Sequence, residues 1–350
     1  MSLHKCKLGE LITQRREKNN DDSLPISGVS KDGLIPPKQQ EADTSLYNMF
    51  YHGDFIFNPA RMELNSIAYN DKYDKAICSS LYEVFYVHRT DLILPEFLAL
   101  IVKQDWFTRY CEFLGQGSAR EYCRFANISE IEIEFPDLDV QEKTVHCYNV
   151  IKRRIELKQQ INDNLEATAQ SLYQEMFVDR ADNNSWKQGT VGDVLQLQRG
   201  HDLPRAEMLG GEYPVAGSTG TIGYHNQYTA KAPVIVMGRS GNIGNPRLYL
   251  CDCWTHNTSL YVKQIFNAEW IWIFYLLKNL NYDGFVGGSA VPTLNRNDVH
   301  AYPIAIPPLE LQQSFAKKIM KLIVFMEKNG AEIEQLQKMQ EFILMTISSR

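Results

Sequence analysis

The residues of this chain best suited to chemistry are arginines, serines and asparagines held in glycine-bounded loops. The densest is Gly238-Arg239-Ser240-Gly241-Asn242-Ile243-Gly244. Its glycines let backbone come close to a ligand, while Arg, Ser and Asn offer hydrogen-bond donors that suit phosphates and base edges. Gly217-Ser218-Thr219-Gly220 and Gly287-Gly288-Ser289 are of the same kind, as is Asn295-Arg296-Asn297. In the first half the counterparts are residues 58–62, with Arg61, and residues 115–124, with Arg120 and Arg124. His256 and Asn257, within Trp254-Thr255-His256-Asn257, complete the candidate contacts, although a structural or surface role is commoner for such a histidine. One such loop alone reads as a surface turn. Matched loops in both halves read as a binding surface, because turns need no arginine.

Covalent and metal chemistry find no support. The sequence has no Gly-x-Ser-x-Gly elbow, His-Glu-x-x-His pair, Walker loop or Gly-x-Gly-x-x-Gly turn after a strand. Its eight histidines are dispersed, none with a cysteine or carboxylate at ligand spacing, so no metal site is expected. Asn58-Pro59-Ala60-Arg61 and Ile306-Pro307-Pro308-Leu309 approach the Asn/Asp-Pro-Pro-aromatic motif of amino-methyltransferases. Both fail, the first for want of a second proline and a ring, the second for want of the leading amide or acid.

Loops of this sort need rigid elements to position them, and two stretches stand out. Residues 138–178 contain neither Pro nor Gly, and Pro136 and Asp137 precede them as stop and start signals. The inward positions Tyr148, Ile151, Ile155, Lys158, Asn162, Leu165, Ala169, Leu172 and Met176 advance by threes and fours, the spacing of a coiled-coil seam. A second seam follows residue 310: Phe315, Ile319, Leu322, Met326, Asn329, Ile333, Leu336, Gln340, Ile343 and Ile347. Helices of about 40 residues reach roughly 60 Å, too long for one small domain to cover. The two are expected to pack on each other as an antiparallel coiled coil, although an oligomerisation device has the same pattern. Polar residues at inward positions lower stability and fix register.

One unit occurs twice, each copy followed by a seam. Lys7-Leu8-Gly9-Glu10-Leu11-Ile12 is matched by Thr190-Val191-Gly192-Asp193-Val194-Leu195, and Leu24-Pro25-Ile26-Ser27-Gly28 by Tyr213-Pro214-Val215-Ala216-Gly217. Residues 54–61 are echoed by 232–239. Each half then gives a helical stretch (95–106; 268–280), a glycine loop, a short strand (131–135; 302–306), a proline stop and a long helix. Short β-branched and aromatic runs with interspersed helices make the class α+β, in two tandem domains with a pseudo-two-fold arrangement at opposite ends of the helical spacer. The expected bounds are residues 1–136 and 181–308 for the domains, and 137–180 and 309–350 for the helices. Residues 14–40 read as irregular surface chain.

Composition is that of an ordinary soluble protein, 44% hydrophobic and 22% charged. The longest apolar runs are far short of a membrane span, and residues 1–5 carry no apolar signal segment. Seven cysteines without a Cys-x-x-Cys pair suggest reduced thiols in a cytoplasmic protein. The net charge of −6 is unlike that of a protein that binds DNA alone, so any nucleic-acid surface must be local or shared with a basic partner.

The ordered series of segments resembles the specificity subunits of type I restriction–modification systems. In the second half it runs from Tyr213-Pro214-Val215-Ala216-Gly217-Ser218-Thr219-Gly220 through the Gly238–Gly244 loop and Gly288-Ser289-Ala290-Val291-Pro292-Thr293-Leu294-Asn295. It closes on Ile306-Pro307-Pro308-Leu309-Glu310-Leu311-Gln312-Gln313. In the first half Asn58-Pro59-Ala60-Arg61-Met62 and Gln159-Gln160-Ile161-Asn162-Asp163-Asn164-Leu165-Glu166 are similar, whereas Ala119-Arg120-Glu121 departs from the family's Ala-Val-Pro. The resemblance implies two target-recognition domains that read a split sequence in double-stranded DNA, on a subunit with no catalytic site or cofactor of its own. It implies helices that set the gap and dock two methyltransferase subunits, which carry S-adenosylmethionine and methylate adenine. Restriction subunits using ATP and Mg complete the complex. Two rivals stay open on the residues alone: a self-contained DNA methyltransferase or nuclease with an unrecognised motif, and a coiled-coil protein adaptor.

Overall fold

The computed structural model describes residues 3–21, 23–37, 43–115, 122–180, 185–208, 210–282 and 293–348. The chain divides into two compact units, residues 1–158 with 332–350, and residues 159–331. Arg120 and Ser289, both candidate contacts, lie outside the described residues.

The first unit carries strands β1 (Leu3–Lys7), β2 (Ile12–Arg15), β3 (Gly28–Ser30), β4 (Gly33–Ile35), β5 (Asn48–Tyr51), β6 (Phe55–Phe57), β7 (Ile67–Tyr69), β8 (Lys75–Cys78), β9 (Glu83–Val87) and β10 (Glu132–Pro136). Its helices are α1 (Pro95–Ile101), α2 (Asp105–Gly115), α3 (Phe125–Ser129) and the first part of α4 (Leu138–Tyr173). The central sheet has the order β2-β9-β6-β7, and β1 pairs with β10 as a separate ribbon. Alternation along the strands splits the side chains between two cores. Phe55, Phe57 and Phe85 face α1, with the Phe55 and Phe85 rings stacked at 4.9 Å. Ile56 and Val84 face the β5–β8 side with Phe50, Ala76 and Cys78. The polar stretch expected to be irregular contains the β3–β4 hairpin. Its buried Val29 anchors the hairpin to the second core, a single apolar residue that a periodicity count does not register.

The second unit carries β11 (Lys187–Thr190), β12 (Leu195–Arg199), β13 (Tyr213–Gly217), β14 (Gly220–His225), β15 (Val234–Gly238), β16 (Gly244–Tyr249), β17 (Trp254–Thr255), β18 (Ser259–Ile265) and β19 (Pro303–Ile306). Its helices are α5 (Trp270–Asn279), α6 (Arg296–His300) and part of α7 (Leu309–Ser348), with the last turns of α4. The order β12-β18-β15-β16 repeats the β2-β9-β6-β7 sheet of the first unit, and β11–β19 repeats β1–β10. Helix α5 is apolar all round, with residues 271–277 buried without a break, as a helix inside a core must be.

The duplication extends to single bonds. Leu8 N donates to Ile131 O as Val191 N does to Tyr302 O, and Ile26 bridges Ile77 in parallel as Val215 does Trp254. Gln141 and Gln312, both buried, stand at the fourth residue of α4 and α7. Each donates from Nε2 to the proline carbonyl five residues back, Pro136 at 2.7 Å and Pro307 at 2.8 Å. Each also accepts, at 2.9 Å, the N–H of the residue that caps the preceding core helix, Leu94 or Glu269. A buried polar side chain is tolerated only when satisfied in this way, so the same residue solves the same problem in each copy.

The long helices pair antiparallel within each unit. In the first, Arg154 and Lys158 of α4 both bond Glu332 of α7, the lysine at 2.7 Å. In the second, Asn329 Nδ2 donates to Asn162 Oδ1 at 2.9 Å, and the Tyr173 and Phe315 rings meet edge to face. Of the expected seam, Ile155, Phe315, Ile319 and Leu336 are buried. Ile151, Asn162, Leu165, Leu172, Met176, Leu322, Met326, Ile333 and Ile343 are half-buried. At the end of α4 the deepest residues are Ala169, Tyr173 and Phe177, four apart, rather than Leu172 and Met176. There the helix packs into the α5 core, with Tyr173 stacked near Tyr275, and it widens into a π turn over Gln174–Val178. A packed domain face favours the 3.6-residue period over the 3.5 of a seam.

Candidate nucleic-acid interface

The candidate residues of the second unit lie on four separate loops, and the fold brings the described ones together at one end of the central sheet. Thr258, just before β18, is the hub. Its carbonyl accepts Arg239 N at 3.0 Å and Ser240 N at 3.3 Å. Its hydroxyl meets His256 Nδ1 at 2.9 Å and accepts Ser218 N at 3.3 Å. Arg239 O in turn accepts Leu294 N at 2.8 Å, which draws Asn295 and Arg296 to the same edge. The Ser218–Thr219 turn, the Arg239–Ser240 loop, His256–Asn257 and the start of α6 thus form one surface.

Gly238 is where sequence most directly dictates this geometry. A β-carbon there would sit 1.5 Å from the Asn242 carbonyl oxygen, so only glycine lets the loop fold back on the strand. The side chains then divide by role. Asn242 donates to Ser218 O at 3.3 Å and accepts from Asn245 at 2.6 Å, so its amide ties two loops together. Asn295 caps α6 by accepting Asn297 N at 3.0 Å. Asn257 is bonded to Asp202, and its carbonyl accepts from Arg199 Nε at 3.4 Å. Arg239, half-buried, and Arg296, exposed, have no carboxylate partner among the described residues. Their guanidiniums are left unneutralised among the described residues.

Helix α6, which carries Arg296, is held against β12 by His300, whose Nε2 accepts Leu197 N at 2.8 Å. Burial, with Arg296 nearby, holds this imidazole below the usual histidine range, so it stays neutral and able to accept.

In the first unit Arg61 and Arg124 are brought together by Cys123 N, which donates to Pro59 O at 3.0 Å. This is the counterpart of Leu294 N to Arg239 O. The structural equivalent of Arg239 is therefore Pro59, and Arg61 stands two residues further on, in the 3₁₀ turn Pro59–Leu64 capped by Asn58. The residue-by-residue echo of 54–61 in 232–239 is out of register here. A six-residue turn replaces the glycine loop, and letters alone do not reveal where it begins. Arg124 lies over the Tyr122 ring and pairs with Glu83 at 3.5 Å, so its charge is partly neutralised. Arg61 is exposed, without a carboxylate partner among the described residues.

Thr258 and Gln141 carry no sequence signature that marks them, and Gln312 is marked only as part of the Ile306–Gln313 segment. Only a bonded partner remote in the chain gives each its importance. Among the described residues no helix is long and apolar enough to cross a membrane.

A duplicated α+β unit with loops of free arginine donors, each copy followed by a long paired helix, defines a class of DNA-specificity module. A family profile, the type I restriction modification DNA specificity domain, matches residues 12–167 and 183–338. The chain belongs to that family. Among curated proteins it is similar to the type I restriction enzyme HindI specificity subunit of Haemophilus influenzae, 26% identical over 165 residues. That match covers 46% of this chain and about a third (35%) of the relative's length. The MjaIX specificity subunit of Methanocaldococcus jannaschii is 20% identical over 296 residues, covering 73% of this chain and 68% of that one. Among solved structures, the S subunit of a type I restriction-modification system from M. genitalium shares the fold. Its TM-score is 0.65 at 16% identity, over 99% of this chain and 96% of that one.

Proposed function

We propose that this chain is the sequence-reading, non-catalytic subunit of a type I restriction–modification enzyme. Each unit reads one half of a split target in double-stranded DNA. Arg239 and Arg296, positioned by Thr258 and Asn295, contact one half-sequence, with Ser218, Thr219, Ser240 and His256 beside them. Arg61 and Arg124 contact the other. Two methyltransferase subunits dock on the chain, carry S-adenosylmethionine and methylate adenine, and restriction subunits using ATP and Mg complete the complex. The chain's own share of the reaction is to select the site and hold it in register. It also explains the acidic net charge of −6, since partners that enclose the DNA would supply much of the phosphate neutralisation.

The observation that carries this reading is the convergence of loops remote in sequence on Thr258, with two unneutralised guanidiniums at one rim. Such donors, held in place without an opposing carboxylate, suit an acceptor that arrives from outside. The test begins with a map of methylated adenines in the host genome, which would show one motif interrupted by a fixed gap. Arg239→Ala is then assayed in the complex on matched duplexes and on duplexes with single changes. A base contact would cost roughly 1–3 kcal/mol at one position, and a phosphate contact would weaken every sequence alike. Unchanged binding to all duplexes would remove Arg239 from the interface. A continuous motif, or none, would sink the split-target reading.

A further inference from the structure

One arginine of the second unit has no loop signature and yet lies at the same rim. Arg247 is in the middle of β16, opposite Val236 of β15 and on the same face as Tyr249. Strand β14 crosses that face, with Thr221 Oγ1 3.4 Å from the Tyr249 hydroxyl. The turn that leads into β14 is Gly217-Ser218-Thr219-Gly220, and Gly220 has a φ of +121°. A β-carbon on Gly220 would meet Arg247 Nη1 at 3.0 Å, Cζ at 3.2 Å and Nε at 3.6 Å. Three atoms of one fork at similar distances mean that the guanidinium lies along the bare face of the glycine. The glycine therefore does two things: it permits the left-handed turn, and it makes the slot in which the fork rests.

The same turn is tied to the Arg239 loop, because Ser218 O accepts from Asn242 Nδ2 at 3.3 Å. Among the described residues no carboxylate pairs with Arg247, and its side chain is exposed. A planar fork seated along backbone and left unneutralised suits bidentate recognition, whereas a phosphate needs only a positive charge.

We propose that Arg247 is a specificity-determining residue of the second unit, its guanidinium donating to the O6 and N7 acceptors of one guanine in that half-sequence. The proposal rests on the DNA-reading function given above and adds a contact that the loops alone do not supply. Position 247 carries no signal in the sequence, because Asn245-Pro246-Arg247-Leu248-Tyr249 has neither the bounding glycines nor the repeat that mark the other loops. Its partner turn is nearly thirty residues away.

The test uses the full chain in complex with its methyltransferase subunits to select from a library of random-sequence DNA duplexes. Wild type, Arg247→Ala, Arg247→Lys and Arg239→Ala are compared side by side. Arg247→Ala is expected to lose the preference for one guanine-containing base pair, a fall of roughly tenfold or more, while other positions hold. Arg247→Lys should lose that same preference but keep the wild-type dependence of binding on salt, since the charge remains. An Arg247→Ala profile identical to wild type overturns the proposal, as does an even weakening on every sequence. Loss of a position in Arg239→Ala with none in Arg247→Ala would leave the DNA-reading function standing and this contact refuted. A wild-type complex that selects no sequence would overturn both.

Discussion

At the scale of single residues, the interface depends on where a side chain is absent as much as on what is present. Gly238 has the Asn242 carbonyl oxygen where a β-carbon would go, 1.5 Å away, so Gly238→Ala must push the loop off the strand. Overpacking of this kind costs roughly 1–3 kcal/mol, and in a unit of this size each kcal/mol lowers Tm by about 2–4 °C. Because the loop carries Arg239 and Ser240, DNA discrimination should fall with it. Thermal melting and duplex competition check this together, and a variant unchanged in both would show that the loop tolerates the side chain. The amides illustrate a different lesson. Asn242 and Asn295, candidate contacts by residue type, also have local work: Asn242 links two loops and the Asn295 side-chain oxygen caps α6. Those bonds fix the backbone on either side of Arg239 and Arg296.

At the scale of elements, two features invite measurement. Asn162 and Asn329 bond each other in the helix seam, and Asn329 is 3% exposed. Replacing Asn329 by Leu alone takes the donor from the Asn162 side-chain oxygen, leaving that carboxamide only its bond to Met326 O at 3.4 Å, at a cost of roughly 1–3 kcal/mol. Replacing both with Leu should recover much of that loss, because the two facing amides are removed together. Denaturant unfolding of both single variants and the double gives the coupling, and additive effects would mean that the pair does not interact. The second feature is the bond from Leu197 N to His300, which fastens α6. The folded imidazole is held below the usual histidine range, so the unfolded chain takes up a proton first as pH falls. The stability from this group is fully present above the ordinary histidine pKa and is lost as pH falls from there through the depressed value. His300→Gln should flatten that part of the stability profile, below the ordinary histidine pKa of about 6.5. If the variant kept the full wild-type slope, the dependence would belong to other groups.

At the scale of the whole molecule, each unit has its own sheet, its own core and its own stretch of paired helix. Recognition by each should therefore be separable. Exchanging residues 187–306, from the start of β11 to the end of β19, for those of a relative should change one half of the methylated motif and leave the other intact. A genome-wide map of methylated adenine reads the outcome. A change in both halves, or a motif without a gap, would argue that the units do not read independently. The positions at which to cut follow from the chemistry of the joints. Each joint is a β ribbon, a proline and a buried glutamine, Gln141 or Gln312, and these should stay with their own helix.

Much of this protein was legible in its letters. Heptad spacing, two proline stops and a repeated order of motifs were enough for the class, the duplication and the long helices, because these depend on local periodicity and on turns that only Gly and Pro permit. The arginine loops were legible for the same reason. What the chain alone did not disclose depends on meetings between distant residues. Thr258 is an unremarked threonine until two remote loops bond to it, and Pro59 rather than Arg61 proves to be the equivalent of Arg239 once their hydrogen-bond partners are seen. The shift from Leu172 and Met176 to Tyr173 and Phe177 arises where a coiled-coil seam enters a domain core. Arg247 lies in a strand whose sequence says nothing of the glycine turn above it. Periodicity is a property of neighbours along the chain, and a binding surface is a property of neighbours in space, which only the folded structure decides.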